Sequence, residues 1–481
     1  MKRIVLGGLL AFVVAGQAAR LGGQSGPDRS RPPEPGPAPE LRLPEVRTAR
    51  LSNGVPVHVV EMHEVPVVEI AVVIDAGAEH DPAGKFGLAS LTAAMLDEGA
   101  AGRSALTIAD EIALLGATLR TGASYDAASV RLGVPVARLD RALPILADVV
   151  LRPDFPAEEL ERVRKERLTA LLQARDDPGW VASRAFARLL YGKTHRYGTD
   201  ERGTSTSLTV ITDADLRDFH RTYYQPSRAA LIVAGDVRHG EVIAQLEQAF
   251  GTWRASSSAS PRSEAPMPPQ PDARRIVLID RPGAAQSQVR IGWVGVPRTT
   301  PDYFPLIVLN TVLGGSFTSR LNTNLRETHG YAYGAFSQFQ MRRGPGPFVA
   351  AAGVQSDRTA EALREFFREL TAIREPIPDD EFGRAQRNIA LGFGADFETT
   401  GDMVDQLQQL VVYRLPEDEY SRYIPRVLAV TPSDARRAAL ERLDPERFLV
   451  VVVGDLASIE APVRALGLGP VTVADAGPLL E

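Results

Sequence analysis

Residues 211–237 (ITDADLRDFHRTYYQPSRAALIVAGDV) align without a gap on residues 430–456 (VTPSDARRAALERLDPERFLVVVVGDL), at a constant offset of 219. Eight of the 27 positions are identical: Thr212/Thr431, Asp215/Asp434, Arg217/Arg436, Pro226/Pro445, Arg228/Arg447, Val233/Val452, Gly235/Gly454 and Asp236/Asp455. The shared pattern has a physical reading. Thr-x-x-Asp is a helix start, with the threonine hydroxyl accepting a first-turn N–H. An amphipathic helix follows, proline ends it, and an apolar, β-branched strand closes at Gly-Asp. A chain that repeats one helix–strand unit in this way is most simply two copies of one domain.

Each half also opens on strands. Asn53-Gly54 is a hairpin signal ahead of VPVHVVEM, and residues 65–74 (VPVVEIAVVI) form an apolar strand. Residues 275–279 and 287–296 take those parts in the second half. Helical patterns cover 88–97, 105–115, 139–150 and 158–174, with further strands within 116–134. Strand runs mixed with long helices, without regular β–α–β alternation, predict an α+β fold. Each half is expected to place its helices on one face of its sheet.

Two Pro/Gly/Ser-rich tracts punctuate the chain, at 22–40 and 255–272. Lys2 and Arg3, the apolar run 4–14 and Gly16-Gln17-Ala18 read as a secretory signal peptide, too short for a comfortable membrane span. The expected division is a signal peptide over 1–18, a tether over 19–45, a first domain over 46–254, a linker over 255–272 and a second domain over 273–470. A periplasmic or secreted location follows, with no membrane insertion after cleavage.

The chain contains no cysteine, which excludes disulfide frameworks, thiolate zinc sites and cysteine nucleophiles. Its net charge of −6 argues against a dedicated nucleic-acid binder. None of the seven histidines lies three or four residues from another, so no helix turn offers two imidazoles to one ion. His58 and His63 have opposite parity on a strand and face opposite sides. There is no Gly-x-Ser-x-Gly elbow, and Ala187 stands where a phosphate loop ending at Lys193-Thr194 needs glycine. The residues alone disclose no hydrolytic centre.

Several motifs nevertheless resemble the pitrilysin/insulinase family of zinc peptidases, in the short two-domain branch that includes mitochondrial processing peptidase. They are Asn53-Gly54 with 57–61, residues 84–99 (GKFGLASLTAAMLDEG), Asp176-Asp177-Pro178, residues 191–198 (YGKTHRYG) and residues 313–333 (LGGSFTSRLNTNLRETHGYAY). The resemblance implies two homologous α/β-sandwich halves, mainly antiparallel in their sheets, of the LuxS/metallohydrolase-like type. It further implies halves that face each other across a closed chamber, with paired chains forming that chamber together in this branch.

The departure from the family is as informative as the match. Active members carry His-x-x-Glu-His on a first-half helix and a distal glutamate on a later one, holding Zn²⁺ and polarising its water. The resemblance puts Ser90 and Ala94 at the histidine positions, Ala93 at the general base and Ala170 at the distal ligand. This chain is therefore expected to bind no metal, with zinc expected on a partner subunit. What survives is in the second half. Arg326 and Tyr333 match the family's arginine and tyrosine that contact the substrate carbonyl and its oxyanion, with Tyr331 as the fallback. Thr121, Gly122, Ala123 and Ser124 match the strand on which an extended peptide is laid. Gly314-Gly315-Ser316 is expected to serve packing.

The expected function is a zinc-motif-less subunit of a heteromeric metallopeptidase, inactive alone, lending Arg326, Tyr333 and a chamber wall to a zinc-bearing paralogous partner that acts on a peptide substrate. Two alternatives stand beside it. One is a non-catalytic peptide-binding or scaffold protein of the same fold; the other is an autonomous peptidase with a divergent site.

Overall fold

A computed structural model describes residues 42–255, 267, 268 and 270–481. The expected signal peptide and most of the expected tether and linker lie outside the described residues.

The first half holds β1 (Val46–Arg50), β2 (Pro56–Glu61), β3 (Val67–Ile74), a small ribbon of β4 (Gly99–Ala100) and β5 (Arg103–Ser104), then β6 (Thr118–Ala123), β7 (Ala128–Pro135) and β8 (Ala229–Gly235). The second holds β9 (Arg275–Asp280), β10 (Gln286–Val294), β11 (Ala332–Phe339), β12 (Pro347–Gln355), β13 (Leu449–Gly454) and β14 (Val471–Ala474). The main sheets run β1-β2-β8-β3-β7-β6 and β14-β9-β13-β10-β12-β11. They have the same order and, in five strands, the same sense. In each, a single central pair is parallel, β2 with β8 and β9 with β13, while β3 and β10 run antiparallel to their neighbours.

The duplication persists in the register. Val57 pairs with Leu231 and Ile276 with Val450, while Ile70 pairs with Val233 and Val289 with Val452. All four second-half residues lie 219 beyond their counterparts. Symmetry ends at the outer strand: β1 joins β2 antiparallel, whereas β14 joins β9 parallel. Both threonine helix starts form as expected. Thr212 Oγ1 accepts from Asp215 N at 3.3 Å and Thr431 Oγ1 from Asp434 N at 3.2 Å. Each aspartate accepts in return from its threonine's N–H, at 2.9 and 3.0 Å.

The expectation of helices on one sheet face is corrected. Helices Leu139–Leu151 and His239–Phe250 pack on β7 and β2, and Thr359–Ala372 and Leu456–Ala465 on β12 and β9. The opposite faces are covered too, by helices that cross between the halves. Of the helices that frame the site, α1 (Leu88–Ala94), α2 (Ala157–Ala174) and α3 (Pro178–Tyr191) belong to the first half, and α4 (Thr400–Tyr413) to the second. α3 packs on β10 and β13 of the second sheet, and α4 packs on β3 and β8 of the first. This reciprocal cover is why every residue of β8 and of β13 is buried. An alternating strand would have put polar side chains beneath the borrowed helix.

The halves therefore clasp each other directly. A cavity of about 790 Å³ lies wholly in the first half, and two between the halves are about 350 and 230 Å³. Because each half completes the other's core, Thr212→Ala and Thr431→Ala are each expected to cost about 1 kcal/mol. Both are expected to shift the same single thermal transition, additively in the double variant. Two separately moving transitions in calorimetry would show that the halves melt independently.

Candidate functional site

The frame comes first. Asp81 is buried and its carboxylate accepts from Gly87 N and Ala89 N, both at 2.7 Å, at the start of α1. Arg196 Nη2 donates to the same carboxylate at 2.9 Å and its Nε to the Ala78 carbonyl at 2.7 Å. Gly87 has φ of +96°, and a Cβ there would come within 2.5 Å of the Arg202 carbonyl oxygen. At α3, Asp177 accepts from Gly179 N at 2.7 Å and Pro178 occupies the first turn. The motifs at 84–99, 176–178 and 191–198 are thus the pieces that hold α1 and α3 in place.

On α1, Ser90 and Ala93 are buried and Ala94 is half-buried; on α2, Ala170 is exposed. The residue that reaches α1 from α2 is Arg167, one turn before Ala170. Its Nη1 donates to Ser90 Oγ at 3.2 Å and its Nη2 to the Ser90 carbonyl at 2.8 Å. Burial, aided by the nearby Arg202 charge, lowers the Arg167 guanidinium to about 10, so it stays cationic at neutral pH. These residues do not fit zinc. Three methyl side chains offer no lone pair, the one hydroxyl already has a donor, and a resident positive charge opposes a dication.

Arg326 and Tyr333 do come together. Arg326 lies in the π-helical turn Thr323–Thr328, and Gly330 closes it with φ of +65°. Tyr333 falls in a bulge of β11 between Ala332 and Ala335, which turns it outward. The Arg326 guanidinium carbon is 5.1 Å from the centroid of the Tyr333 ring and 4.7 Å from that of Phe317. Tyr333 is 87% exposed and Phe317 65% exposed. Tyr331 turns elsewhere and stacks on His329 at 4.9 Å. Phe317 is the member that sequence reasoning missed, although an aromatic beside Gly314-Gly315-Ser316 was the available signal. Those glycines do serve packing: a Cβ on Gly314 would meet Ser337 N at 2.3 Å.

Thr121, Gly122 and Ala123 lie on β6, an edge strand bonded only to β7, and a Cβ on Gly122 would meet nothing within 4 Å. Thr121 Oγ1 donates to Asp97 Oδ1 at 3.2 Å. Ser124 belongs to the following turn. Its hydroxyl accepts from Ala127 N at 3.2 Å and its carbonyl from Ala78 N at 2.9 Å.

A second cluster was overlooked because the search was for paired histidines. Asp75, Glu79 and His80 are, among the described residues, the one group spaced to hold a metal ion. Arginines already fill it. Arg343, from the second half, donates to Asp75 at 2.6 Å and to Glu79, and its backbone N–H to Asp126 at 3.3 Å. Arg228 donates to Asp75 at 3.2 Å. Burial alone would raise the Asp75 carboxyl, but bonds from His80 and Arg343 and their charges hold it well below the usual range. Burial pushes Glu79 up to about 7, against the pull of Arg343 and His80, because Asp75 takes the larger share of the cations. The cluster is an electrostatic clasp between the halves.

Two outcomes are expected. A chain with Ser90→His, Ala93→Glu, Ala94→His and Ala170→Glu should bind zinc weakly while Arg167 remains, and tighten by roughly tenfold or more when Arg167→Ala is added. Calorimetric titration checks this, and equal affinities would show that the guanidinium does not govern the site. For Glu79, a raised folded-state value favours folding fully below the ordinary 4.5, and that advantage is gone as pH passes about 7. Chemical denaturation across that interval should therefore show wild type losing stability that Glu79→Gln retains; parallel curves would count against the assignment.

Comparison with known proteins agrees with this architecture. Residues 57–187 match the family model for insulinase (peptidase family M16), and residues 211–389 match the one for the peptidase M16 inactive domain. A protein of Streptomyces coelicolor named as an uncharacterized zinc protease is 27% identical, over 85% of this chain and 86% of its own. A protein of Arabidopsis thaliana named as a mitochondrial-processing peptidase subunit beta is 22% identical, over 86% and 80%. Among solved structures, a peptidase M16 inactive domain from Pseudomonas fluorescens superposes with a TM-score of 0.79 at 28% identity, covering 85% of this chain and 98% of that one. A protease from Helicobacter pylori reaches 0.76 at 21% identity, over 85% and 100%, and shares the fold. With duplicated sheets, exchanged helices and both halves matched, the chain belongs to the M16, or insulinase, peptidase family.

Proposed function

We propose that this chain is a catalytically incomplete subunit of a heteromeric M16 peptidase, exported from the cytoplasm and inactive alone. The observation that supports the reading is Arg167, whose guanidinium is bonded to Ser90, one of the positions that the family resemblance gives to a metal ligand. Loss of ligands alone would leave a vacant pocket. A cation bonded into it makes the pocket hostile to a metal.

The complementary equipment remains. Arg326 and Tyr333 share one exposed cluster, with a charged donor and a phenol available to a carbonyl oxygen that gains negative charge. The unpaired edge of β6 is suited to an extended peptide backbone. The halves of this chain already cover each other's inner faces, so this outward-facing equipment needs a second chain to enclose it. A zinc-bearing paralogue of the same fold would provide that enclosure together with the metal and the general base.

The test is reconstitution. Elemental analysis of the purified chain is expected to find no stoichiometric zinc, and peptide hydrolysis is expected only when a zinc-motif paralogue is co-expressed. Arg326→Ala and Tyr333→Phe should each lower the rate of the mixed complex by about 10²–10³-fold. Stoichiometric zinc with chelator-sensitive activity in the isolated chain would overturn the reading. A mixed-complex rate unchanged by both substitutions would favour a scaffold.

A further inference from the structure

The cavity of about 230 Å³ between the halves has an unbalanced charge. Arg184 of α3, Arg290 of β10 and Arg342, just beyond β11, all line it, and among the described residues no aspartate or glutamate does. Arg184 has a side chain only 13% exposed, and its one ion pair is a long 3.8 Å contact to Asp200. Arg290 donates to Ser183 Oγ and to the Gly179 carbonyl, both at 3.1 Å, and to the Val289 carbonyl at 2.9 Å, and has no carboxylate within ion-pair reach. Burial lowers its proton affinity, with only Asp177 opposing. Arg342 lies 4.0 Å from the Tyr125 ring centroid and 4.6 Å from that of Tyr197, and its guanidinium donates to no described protein acceptor. Three partly buried guanidiniums, of which Arg342 has its donors unspent, with no acid lining the cavity between them, favour an oxyanion.

The remaining walls narrow the ligand. Phe336, Val349 and Ala351 are apolar, so a bare inorganic anion would leave much of the surface unused. The volume is that of a few water molecules, on the order of eight at about 30 Å³ each, and suits one residue. Both open sheet edges also lead here. Tyr125 lies two residues past the end of β6, and Phe336 belongs to the edge strand β11. We propose that this cavity is a carboxylate-binding site, and that it receives the C-terminal residue of a peptide laid along the β6 edge, with an apolar side chain against Phe336 and the carboxylate against Arg342, Arg290 and Arg184.

The proposal shares with the functional reading the use of the β6 edge but requires neither zinc nor a partner. It can be measured by binding to this chain alone, so a failure of reconstituted hydrolysis leaves it standing. The probe is a fluorescein-labelled hexapeptide ending in leucine with a free carboxylate, set against its C-terminally amidated twin and against inorganic phosphate as competitor. Amidation is expected to weaken binding by about 10–100-fold, and Arg342→Gln to do so by a similar factor with an unchanged melting curve. Arg184→Gln is the second variant should Arg342→Gln misfold, with the same loss expected. Equal affinity for free and amidated peptides, or full affinity in the folded arginine variants, would overturn the site. Phosphate binding without peptide binding would overturn the assignment of a peptide terminus.

Discussion

The rest of the structure depends on the exchange of α3 and α4. A sheet with helices on one face must keep the other face polar or cover it, and β8 and β13 are apolar along their whole lengths. Each can be so only because the neighbouring half supplies the missing layer. The exchange converts two modest sandwiches into one cooperative body, and it also determines where chemistry can lie. The sheet faces between the halves are spent on mutual cover, and Tyr333 and Phe317 lie exposed outside that cover.

The relatives that carry the word zinc in their names match this chain along most of its length, while the positions that the family resemblance gives to the ion are here Ser90, Ala93, Ala94 and Ala170, with the Arg167 guanidinium bonded to Ser90. The scaffolding of that region is otherwise intact. Asp81, Arg196 and Gly87 still set the start of α1 with short hydrogen bonds and a backbone conformation that tolerates no side chain. The start of this helix is thus fixed by contacts that involve none of Ser90, Ala93 and Ala94.

Much of this was legible in the sequence, for physical reasons. The Thr-x-x-Asp starts, the apolar strands ending at Gly-Asp and the helix boundaries are local, and local chemistry decides them. The meeting of Arg326 with Tyr333 was readable because Gly330 and the strand after it fix the intervening geometry. What could not be read arises from pairings far apart in the chain. Arg167 meets Ser90 across 77 positions and Arg343 meets Asp75 across 268. Neither contact leaves a periodic or spacing signature, and the exchange of α3 and α4 is invisible to any pattern that treats each half as self-contained.

The position of β1 has a practical corollary. β1 and β6 occupy opposite borders of their sheet, five inter-strand steps or roughly 24 Å apart. An affinity handle introduced immediately before β1 therefore attaches on the flank remote from the open border of β6. Immobilising the molecule there should leave the β6 border facing the surrounding medium.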